Sequence, residues 1–231
     1  YPSFILMMKK LYPFLFLPLL ISASAAAIGV GEVTSIMFAN DQMLAKEIDN
    51  ASDSARFVSV SAHRLSTPMA GGKIIPMEQP GELLSTPANV ILPAGAREHF
   101  RFIYHGPEDD KERYYRLSWL DEPVSDHQAS SNSRHGMATT SAQINTILVV
   151  APRKAKFNYQ HRGDTVTNTG NVTFRVISYG PCKDPEKNKG EGCRERYYVM
   201  PGLSAKITHT QVANKQTRIG IWHEGKYIHV K

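Results

Sequence analysis

The side chains that most often carry out chemistry are present in this sequence, but without the spacing that chemistry requires. Nine histidines occur, yet none lies in an H-E-x-x-H motif or has a carboxylate at a spacing typical of a metal or proton-transfer site. The sequence also lacks a G-x-S-x-G motif, a phosphate-binding loop and a dinucleotide fingerprint. It therefore predicts no catalytic residues, no cofactor and no metal, and we expect a protein that is not an enzyme.

The two cysteines, Cys182 and Cys193, lie close together in the second half of the chain. In an oxidising compartment, two neighbouring cysteines predict one local disulfide. A zinc site would need two more ligands at suitable spacing, and none is convincing here. A disulfide closing so short a loop would stabilise the fold by about 2–3 kcal/mol in the entropic account.

Charge is distributed unevenly along the chain. Residues 28–152 contain 10 Lys and Arg against 15 Asp and Glu, whereas residues 153–231 contain 15 against 6. A basic half can indicate a nucleic-acid or anionic-lipid partner. Here the basic residues are scattered among strand-like segments, with no basic run and no aromatic stacking motif. We therefore predict a solvated, modestly basic surface and no nucleic-acid partner.

The N-terminus has the layout of a secretion signal. Lys9 and Lys10 precede the apolar residues 11–21, and small residues follow at 24–27, which is typical of a cleaved signal peptide. The apolar stretch is shorter than the ~20 residues that a spanning helix needs, and no later run approaches that length. We predict that residues 1–27 are upstream residues plus signal peptide, and that the mature chain is exported without membrane insertion.

The elements that would have to position any functional group are short strands. Hydrophobic residues recur with a period of two, and clusters of Gly, Pro, Asn and Asp separate the runs, which is typical of β-sandwiches. Only residues 41–48 suggest a turn or two of helix. The strand-like runs are residues 55–65, 99–104, 114–120, 144–150, 173–179 and 218–222.

A domain boundary is predicted at Ala151-Pro152-Arg153. The charge changes sign there, and proline removes a ladder donor while it biases the preceding residue to an extended conformation. Before this elbow, residues 122–143 form a long polar connection, and a connection of that length is usually functional or mobile.

Five segments of the sequence match a known signature in order and spacing. They are LLSTPANVILPAGAREHFRF (83–102), KERYYRL (111–117), TILVVAPR (146–153), VTNTGNVTFRVISY (166–179) and YVMPGLS (198–204). Together they resemble the PapD-like family of periplasmic pilus chaperones, in the branch that serves alpha-type fimbriae. The resemblance extends over nearly the whole mature chain.

The resemblance implies two immunoglobulin-like β-sandwich domains at an angle, an all-β fold, with domains at 28–152 and 153–231. It implies a periplasmic chaperone that binds pilus subunits through its G1 strand, about residues 138–152, and delivers them to an outer-membrane usher. Strand addition of this kind is a recognised binding mode, and chaperone–pilin complexes are a standard example. A second copy of the chain, in a homodimer that caps the strand edge of the free protein, is a further candidate partner that the sequence leaves open. The alternative is a secreted two-domain binding module, such as a pilus subunit or adhesin.

Within the implied donor strand, alternate side chains face opposite sides. The even-numbered set is the more apolar, so we predict that it enters the subunit, although a bulge would reverse the assignment beyond it. For residues 147–150, a plain core role is an equal alternative. The predicted subunit-binding residues are Ala138, Thr140, Ala142, Ile144, Leu148 and Val150.

The resemblance also implies a basic anchor for the carboxylate at the end of the subunit. The family uses an Arg on the first strand and a Lys on G1, but Ser35 and either Ile147 or Val149 occupy those positions here. Arg113 and Arg116 are the predicted substitutes, because a guanidinium can bind a carboxylate through two hydrogen bonds.

Three further positions match an ion network between the domains in that family. Glu112, Arg153 and Glu224 are therefore predicted to pair with one another and to fix the angle between the two domains.

Overall fold

The structure is a computed structural model that describes residues 27–124, 140–187 and 190–231. Nearly all of the predicted signal peptide and Ala138 of the predicted donor strand lie outside the described residues. Within those residues, no helix is long and apolar enough to cross a membrane.

Residues 28–150 form two facing sheets. The first has the strand order β1-β3-β8-β6, and the second has the order β2-β10-β9-β4-β5, with β7 also paired to β4. The strands are β1 (Ile28–Gly29), β2 (Thr34–Met37), β3 (Met43–Asn50), β4 (Arg56–Leu65), β5 (Ile74–Ile75), β6 (Leu83–Thr86), β7 (Asn89–Leu92), β8 (Arg97–Tyr104), β9 (Arg113–Pro123) and β10 (Ala142–Val150).

Residues 159–229 form two smaller sheets. One has the order β11-β12-β15 and the other β14-β13-β16-β17. The strands are β11 (Tyr159–Arg162), β12 (Thr165–Asn168), β13 (Phe174–Gly180), β14 (Cys193–Val199), β15 (Ser204–Lys206), β16 (Arg218–His223) and β17 (Lys226–His229).

Each pair of sheets encloses its own hydrophobic core. In the first, the buried Trp119 ring meets Phe100 and Phe102 edge-on, with centroids 5.2 and 5.9 Å apart. In the second, Phe157 packs edge-on against the buried Phe174 at 5.5 Å. Such aromatic pairs add to the free energy gained from burying their apolar area. The prediction of an all-β fold made of β-sandwiches is confirmed.

Residues 41–48, predicted to form a turn or two of helix, instead lie largely in strand β3. Buried and exposed side chains do alternate along β3, but a hydrophobicity pattern does not show this because some of the buried residues are polar. Lys46, Ile48 and Asn50 all face inward and are buried, so the period is two, although two of these three side chains are polar.

The predicted disulfide between Cys182 and Cys193 is present and joins the end of the β13 segment to the start of β14. Glu195 lies two residues beyond Cys193 and is also buried. Its carboxylate accepts hydrogen bonds from the N–H groups of Thr208, His209 and Thr210 at 2.7–3.0 Å. These contacts tie the strand that follows the disulfide to residues 208–210.

Candidate functional site

Strand β10 is paired along its whole length on one side and along less than half on the other. It pairs antiparallel with β9 from Ala142 to Val150, but parallel with β2 only from Ile147 to Val150. Among the described residues, no strand covers the second side of residues 142–146. An open edge of this kind is a template for another strand and needs a functional reason.

The hydrogen bonds to β2 show which main-chain groups face the open side. The N–H of Ile147 donates to the Val33 carbonyl at 2.7 Å, and that of Ala151 donates to Met37 at 2.9 Å. Because successive residues direct their N–H and C=O groups to opposite sides of a strand, those of Asn145 and Gln143 point the same way as those of Ile147. The open edge therefore presents two residues' main-chain donors and acceptors.

The even-numbered side chains of β10 emerge gradually from the core toward the start of the strand. Leu148 and Val150 are 0% and 1% exposed and belong to the first core. Thr146 is also buried and accepts a hydrogen bond from the Trp119 indole N–H at 2.9 Å. Ile144 and Ala142 are half-buried.

This gradient corrects part of the predicted binding set. Leu148 and Val150 already fill the sandwich interior, so they cannot also fill a groove in another protein without unfolding this one. Thr140 is exposed, and Ala142 and Ile144 are only partly covered, so they remain available. The odd-numbered face is polar where it is exposed, at Gln143 and Asn145.

A buried ion pair holds the start of β10. Arg56 Nε lies 2.6 Å from Asp121 Oδ1, and both side chains are almost wholly buried. The Arg56 Nη2 group also donates to the Thr140 carbonyl at 2.9 Å. Arg56 therefore joins β4 and β9 to Thr140, which lies two residues before the start of β10. Sequence analysis missed this pair, although both residues occupy inward positions of their strands.

Of the two predicted anchor arginines, Arg113 is already engaged. Its buried guanidinium donates to Asp109 at 2.7 and 2.8 Å and to Glu78 at 2.9 Å. Hydrogen bonding to Arg113 lowers the pKa of Asp109 to about 2. Three carboxylates surround this arginine, since Glu82 also lies 3.8 Å away. Arg113 is a structural cation of the first sandwich.

Arg116 lies on the opposite face of β9. It is half-exposed, stands opposite Ile147 of β10 and His63 of β4, and has no ion pair among the described residues. It is therefore free to bind an anion beside the donor strand.

The residue that lies behind Ser35 is Lys46, which sequence analysis did not identify. Lys46 Nζ donates to the Glu32 carbonyl at 2.8 Å and to Ser35 Oγ at 3.1 Å. Burial lowers the pKa of this lysine, and the charge of Glu32 only partly opposes the effect. Within the described residues Lys46 has no ion pair, although a buried cation usually has one.

Ser35 and Glu32 open onto a cleft between the two sandwiches. Arg175 and Tyr198 line its far wall. The cleft is lined by Glu32, Thr34, Ser35, Ile36, Phe38 and Leu44 from the first sandwich and by Arg175, Tyr198, Trp222, His223, Glu224 and Gly225 from the second.

The predicted ion network between Glu112, Arg153 and Glu224 does not form among the described residues. Arg153 donates instead to main-chain carbonyls, including those of Asp41 and Phe38, and its guanidinium lies 5.4 Å from the centre of the Tyr104 ring. Glu224 lies 3.8 Å from the neighbouring His223. The prediction is therefore corrected: Arg153 binds main-chain carbonyls of the first sandwich, and Glu224 lies beside its neighbour His223.

Glu112 does join the two sandwiches, but through hydrogen bonds. Its carboxylate accepts from the Thr173 N–H at 2.6 Å and from the Thr173 hydroxyl. Burial raises its pKa, and the bonds from Thr173 oppose that shift. His223 adds an apolar contact, because its ring stacks on Phe157 at 4.5 Å and meets Phe38 edge-on at 5.9 Å.

Comparisons with a family model and with curated relatives indicate one family. Residues 157–230 match the family model described as the EcpB C-terminal domain. A protein of Escherichia coli O18:K1:H7 named "Probable fimbrial chaperone EcpB" is 45% identical over 227 residues, covering 97% of this chain and 100% of the relative. A protein of Klebsiella pneumoniae strain 342 with the same name is 45% identical over 92% of this chain and 96% of its own length.

Solved structures of similar fold include two chaperones. The class 5 fimbriae chaperone CfaA shares 18% identity, with a TM-score of 0.51 over 88% of this chain and 96% of that one. The Pseudomonas aeruginosa CupB2 chaperone shares 13% identity, with a TM-score of 0.51 over 87% and 96%. At such low identity these likenesses concern the fold alone.

Proposed function

Because the chain belongs to the EcpB family of fimbrial chaperones, we propose that it is a periplasmic, non-catalytic chaperone that binds pilus subunits through β10. The observation that carries this proposal is the uncovered edge of residues 142–146. A subunit strand that lies against this edge would bond to the main chain of Gln143 and Asn145. The chaperone bound in this way would block premature polymerisation of the subunits until it delivers them to an outer-membrane usher.

Main-chain pairing supplies affinity in strand addition, and alternate side chains supply specificity. We propose that Thr140, Ala142 and Ile144 supply those side chains, since they continue the even-numbered series of β10 beyond the point where the sandwich covers it. Ala138, which lies outside the described residues, belongs to the same even-numbered series in the sequence and is proposed with them. Leu148 and Val150, packed in the first core, would keep the C-terminal half of β10 rigid. A rigid donor is advantageous because little conformational entropy remains to be lost on binding.

Two cations are available for a carboxylate at the end of the subunit. Arg116, beside Ile147, has no ion pair among the described residues, and Lys46 lies behind Ser35, where the family has its arginine. We favour Lys46, because it is buried without an ion pair in the described part of the chain and its partner Ser35 opens onto the cleft. A carboxylate in the cleft would supply the counter-charge that this lysine lacks.

The domain organisation belongs to the same proposal. We propose a signal peptide and upstream residues at 1–27, a chaperone domain at 28–152 with its donor strand at about 138–152, and a second domain at 153–231. In the free protein, the open edge of one copy would pair with that of another, which gives a self-capping homodimer.

The test is co-expression of the chain with the pilus subunit encoded beside it, followed by purification through a tag on the chaperone. We expect a one-to-one complex with the unchanged chain and none with Ile144→Asp, because a charge would enter an apolar groove. Gln143→Asp is the matched control, since Gln143 is exposed on the polar face, and it should leave the complex intact.

A complex that survives Ile144→Asp but is lost in Gln143→Asp would move the contact to the polar face. A folded chain that binds no subunit would contradict the proposal and favour the secreted binding module, either a pilus subunit or an adhesin. The uncovered edge of β10 and the family membership both argue against that alternative.

A further inference from the structure

The face of the sheet β14-β13-β16-β17 that points away from the second core borders the cleft at Arg175, Tyr198 and Trp222 and continues beyond it as a surface that the proposed function does not use. Cross-strand register places Tyr198, Arg175, Trp222 and Tyr227 in one row across the four strands. Four positions further along each strand, Arg194, Tyr179 and Arg218 form another row. Each of these arginines therefore lies directly opposite an aromatic residue.

The aromatic rings on this face are unusually exposed. Tyr179, Tyr198, Trp222 and Tyr227 are 52%, 42%, 38% and 48% exposed. Trp222 and Tyr227 contact each other edge-on at 5.7 Å, and a Cβ on Gly220 would collide with the Tyr227 ring at 2.1 Å. The glycine therefore lets the ring lie flat on the sheet. Contiguous exposed apolar area usually marks an interaction site.

The charged side chains that point outward from the four strands are all positive, whereas Glu32 and Glu224 line the cleft beside Arg175. The strands contribute four outward arginines, and the acidic residue of β14, Glu195, points into the core instead. None of these arginines has an ion pair within the described residues. They are Arg175, Arg194, Arg196 and Arg218.

We propose that this arginine–aromatic face docks an acidic segment of a partner protein. Tyr, Trp and Arg are the residue types that most often dominate protein–protein binding energy. Arg218 also donates to the Lys215 and Thr217 carbonyls. A guanidinium recognises a carboxylate through two parallel hydrogen bonds, so four arginines without an ion pair among the described residues call for a partner rich in Asp or Glu. The exposed rings call for apolar side chains between those carboxylates.

A basic sheet with exposed rings could in principle stack nucleic acid instead. The compartment favours protein, because the proposed function, on which this step rests, has the chain exported to the periplasm.

The first experiment titrates the mature chain with a defined probe, a twelve-residue peptide that alternates Glu with Leu and Phe, and monitors Trp222 fluorescence. The second tryptophan, Trp119, is fully buried, so a change reports on the surroundings of Trp222, and the Arg194 and Arg196 changes below distinguish this face from the cleft that Trp222 also lines. We expect saturable, salt-sensitive binding and about tenfold weaker binding of the same peptide with Gln in place of Glu, since hydrogen bonds to ionised groups are roughly twice as strong as neutral ones.

The variant that tests the face is Arg194→Glu with Arg196→Glu, and its control is Lys156→Glu with Arg162→Glu. Both change the net charge equally, but Lys156 and Arg162 are exposed in or before strand β11 of the opposite sheet. We expect the first variant to weaken peptide binding by about tenfold or more, as for hot-spot residues, and the control to change it by less than about twofold.

Three results would overturn the proposal: equal binding of the Glu and Gln peptides, equal loss in both variants, or tighter binding of a twelve-nucleotide single strand. Self-association at high concentration that the Arg194 and Arg196 changes abolish would also overturn it, because the occupant would then be a second copy. Co-purification of the pilus subunit should survive these changes, so failure here is distinguishable from failure of the proposed function.

Discussion

The two sandwiches each bury a carboxylate on a strand, but they stabilise it in different ways. In the first, Asp121 faces Arg56, which is 65 residues away in sequence and also holds the Thr140 carbonyl. In the second, Glu195 accepts hydrogen bonds from neutral donors at Thr208, His209 and Thr210. The charge pair of the first sandwich is therefore connected to the residues that precede the donor strand. In the described part of the chain, the buried carboxylate of the second sandwich binds only residues 208–210 and its neighbour Tyr197.

The difference shows how a fold can keep one strand edge open without losing order. The first sandwich fixes both ends of β10, with Leu148 and Val150 in the core and Thr140 bonded to Arg56. The second sandwich presents arginine and aromatic side chains from all four strands of one sheet, the central strands β13 and β16 and the edge strands β14 and β17. One half is suited to main-chain pairing and the other to side-chain contacts.

Arg56→Ala is the change that we expect to lower the free energy of unfolding of the first sandwich the most. It leaves Asp121 buried without a counter-charge, and breaking a buried pair in this way costs about 3–5 kcal/mol. Urea unfolding monitored through Trp119, in a Trp222→Phe background, measures the first sandwich separately. Arg97→Ala is the control, since its pair with Glu47 is exposed and should contribute at most about 1 kcal/mol. Similar losses of unfolding free energy in Arg56→Ala and Arg97→Ala would contradict a stabilising role of Arg56 at the donor strand.

Leu148→Ala tests the assignment of the even face of β10 to the core. We expect a loss of about 2–5 kcal/mol, because a fully buried leucine leaves a cavity. Ile147→Ala, on the half-exposed opposite face, should cost clearly less in the same unfolding measurement. If the order of the two were reversed, the structural assignment of the two faces would be wrong.

Replacing Cys182 and Cys193 by serine should weaken the second sandwich alone. The closed loop is short, with a sequence separation of 11, so we expect a loss of about 2–3 kcal/mol. Hydrogen exchange measures this locally: the amides of β13 and β16 should exchange faster, whereas those of β4 and β9 should not change. Faster exchange in both halves would mean that the two sandwiches unfold together.

Glu195→Gln should have a smaller effect, which depends on pH. Burial alone would raise the pKa of Glu195, but hydrogen bonds from Tyr197, Thr208 and Thr210 outweigh it, and the pKa is lowered from its ordinary value of 4.5. The stabilising contribution is therefore complete above pH 4.5 and disappears as the pH falls through the folded-state pKa. At neutral pH we expect a loss of about 1–3 kcal/mol.

The pH dependence distinguishes this carboxylate from Glu112 at the junction of the sandwiches. Burial raises the pKa of Glu112, so its protonation on acidification favours the folded state, which is the opposite sign. Hydrogen exchange of β14 between pH 6 and pH 3 should accelerate less steeply in Glu195→Gln than in the unchanged chain, after correction for intrinsic exchange. Identical slopes would contradict the role assigned to Glu195.

The sequence alone determined the fold class, the pairing of Cys182 with Cys193 and the family, and all three are confirmed. A period of two in hydrophobicity is a local property, and two cysteines allow only one intramolecular bridge. Local pattern failed at residues 41–48, because a buried lysine and a buried asparagine disguised the alternation of β3.

Tertiary structure alone decided which residues meet. Alternation defines two faces of β10, but where the core ends along that strand depends on the sheet packed against it, and Leu148 therefore differs from Ile144. Arg56 and Asp121, and likewise Glu112 and Thr173, are partners across more than sixty residues. No local pattern encodes such pairs, since a charged residue at an inward position acquires its partner only when distant strands come together.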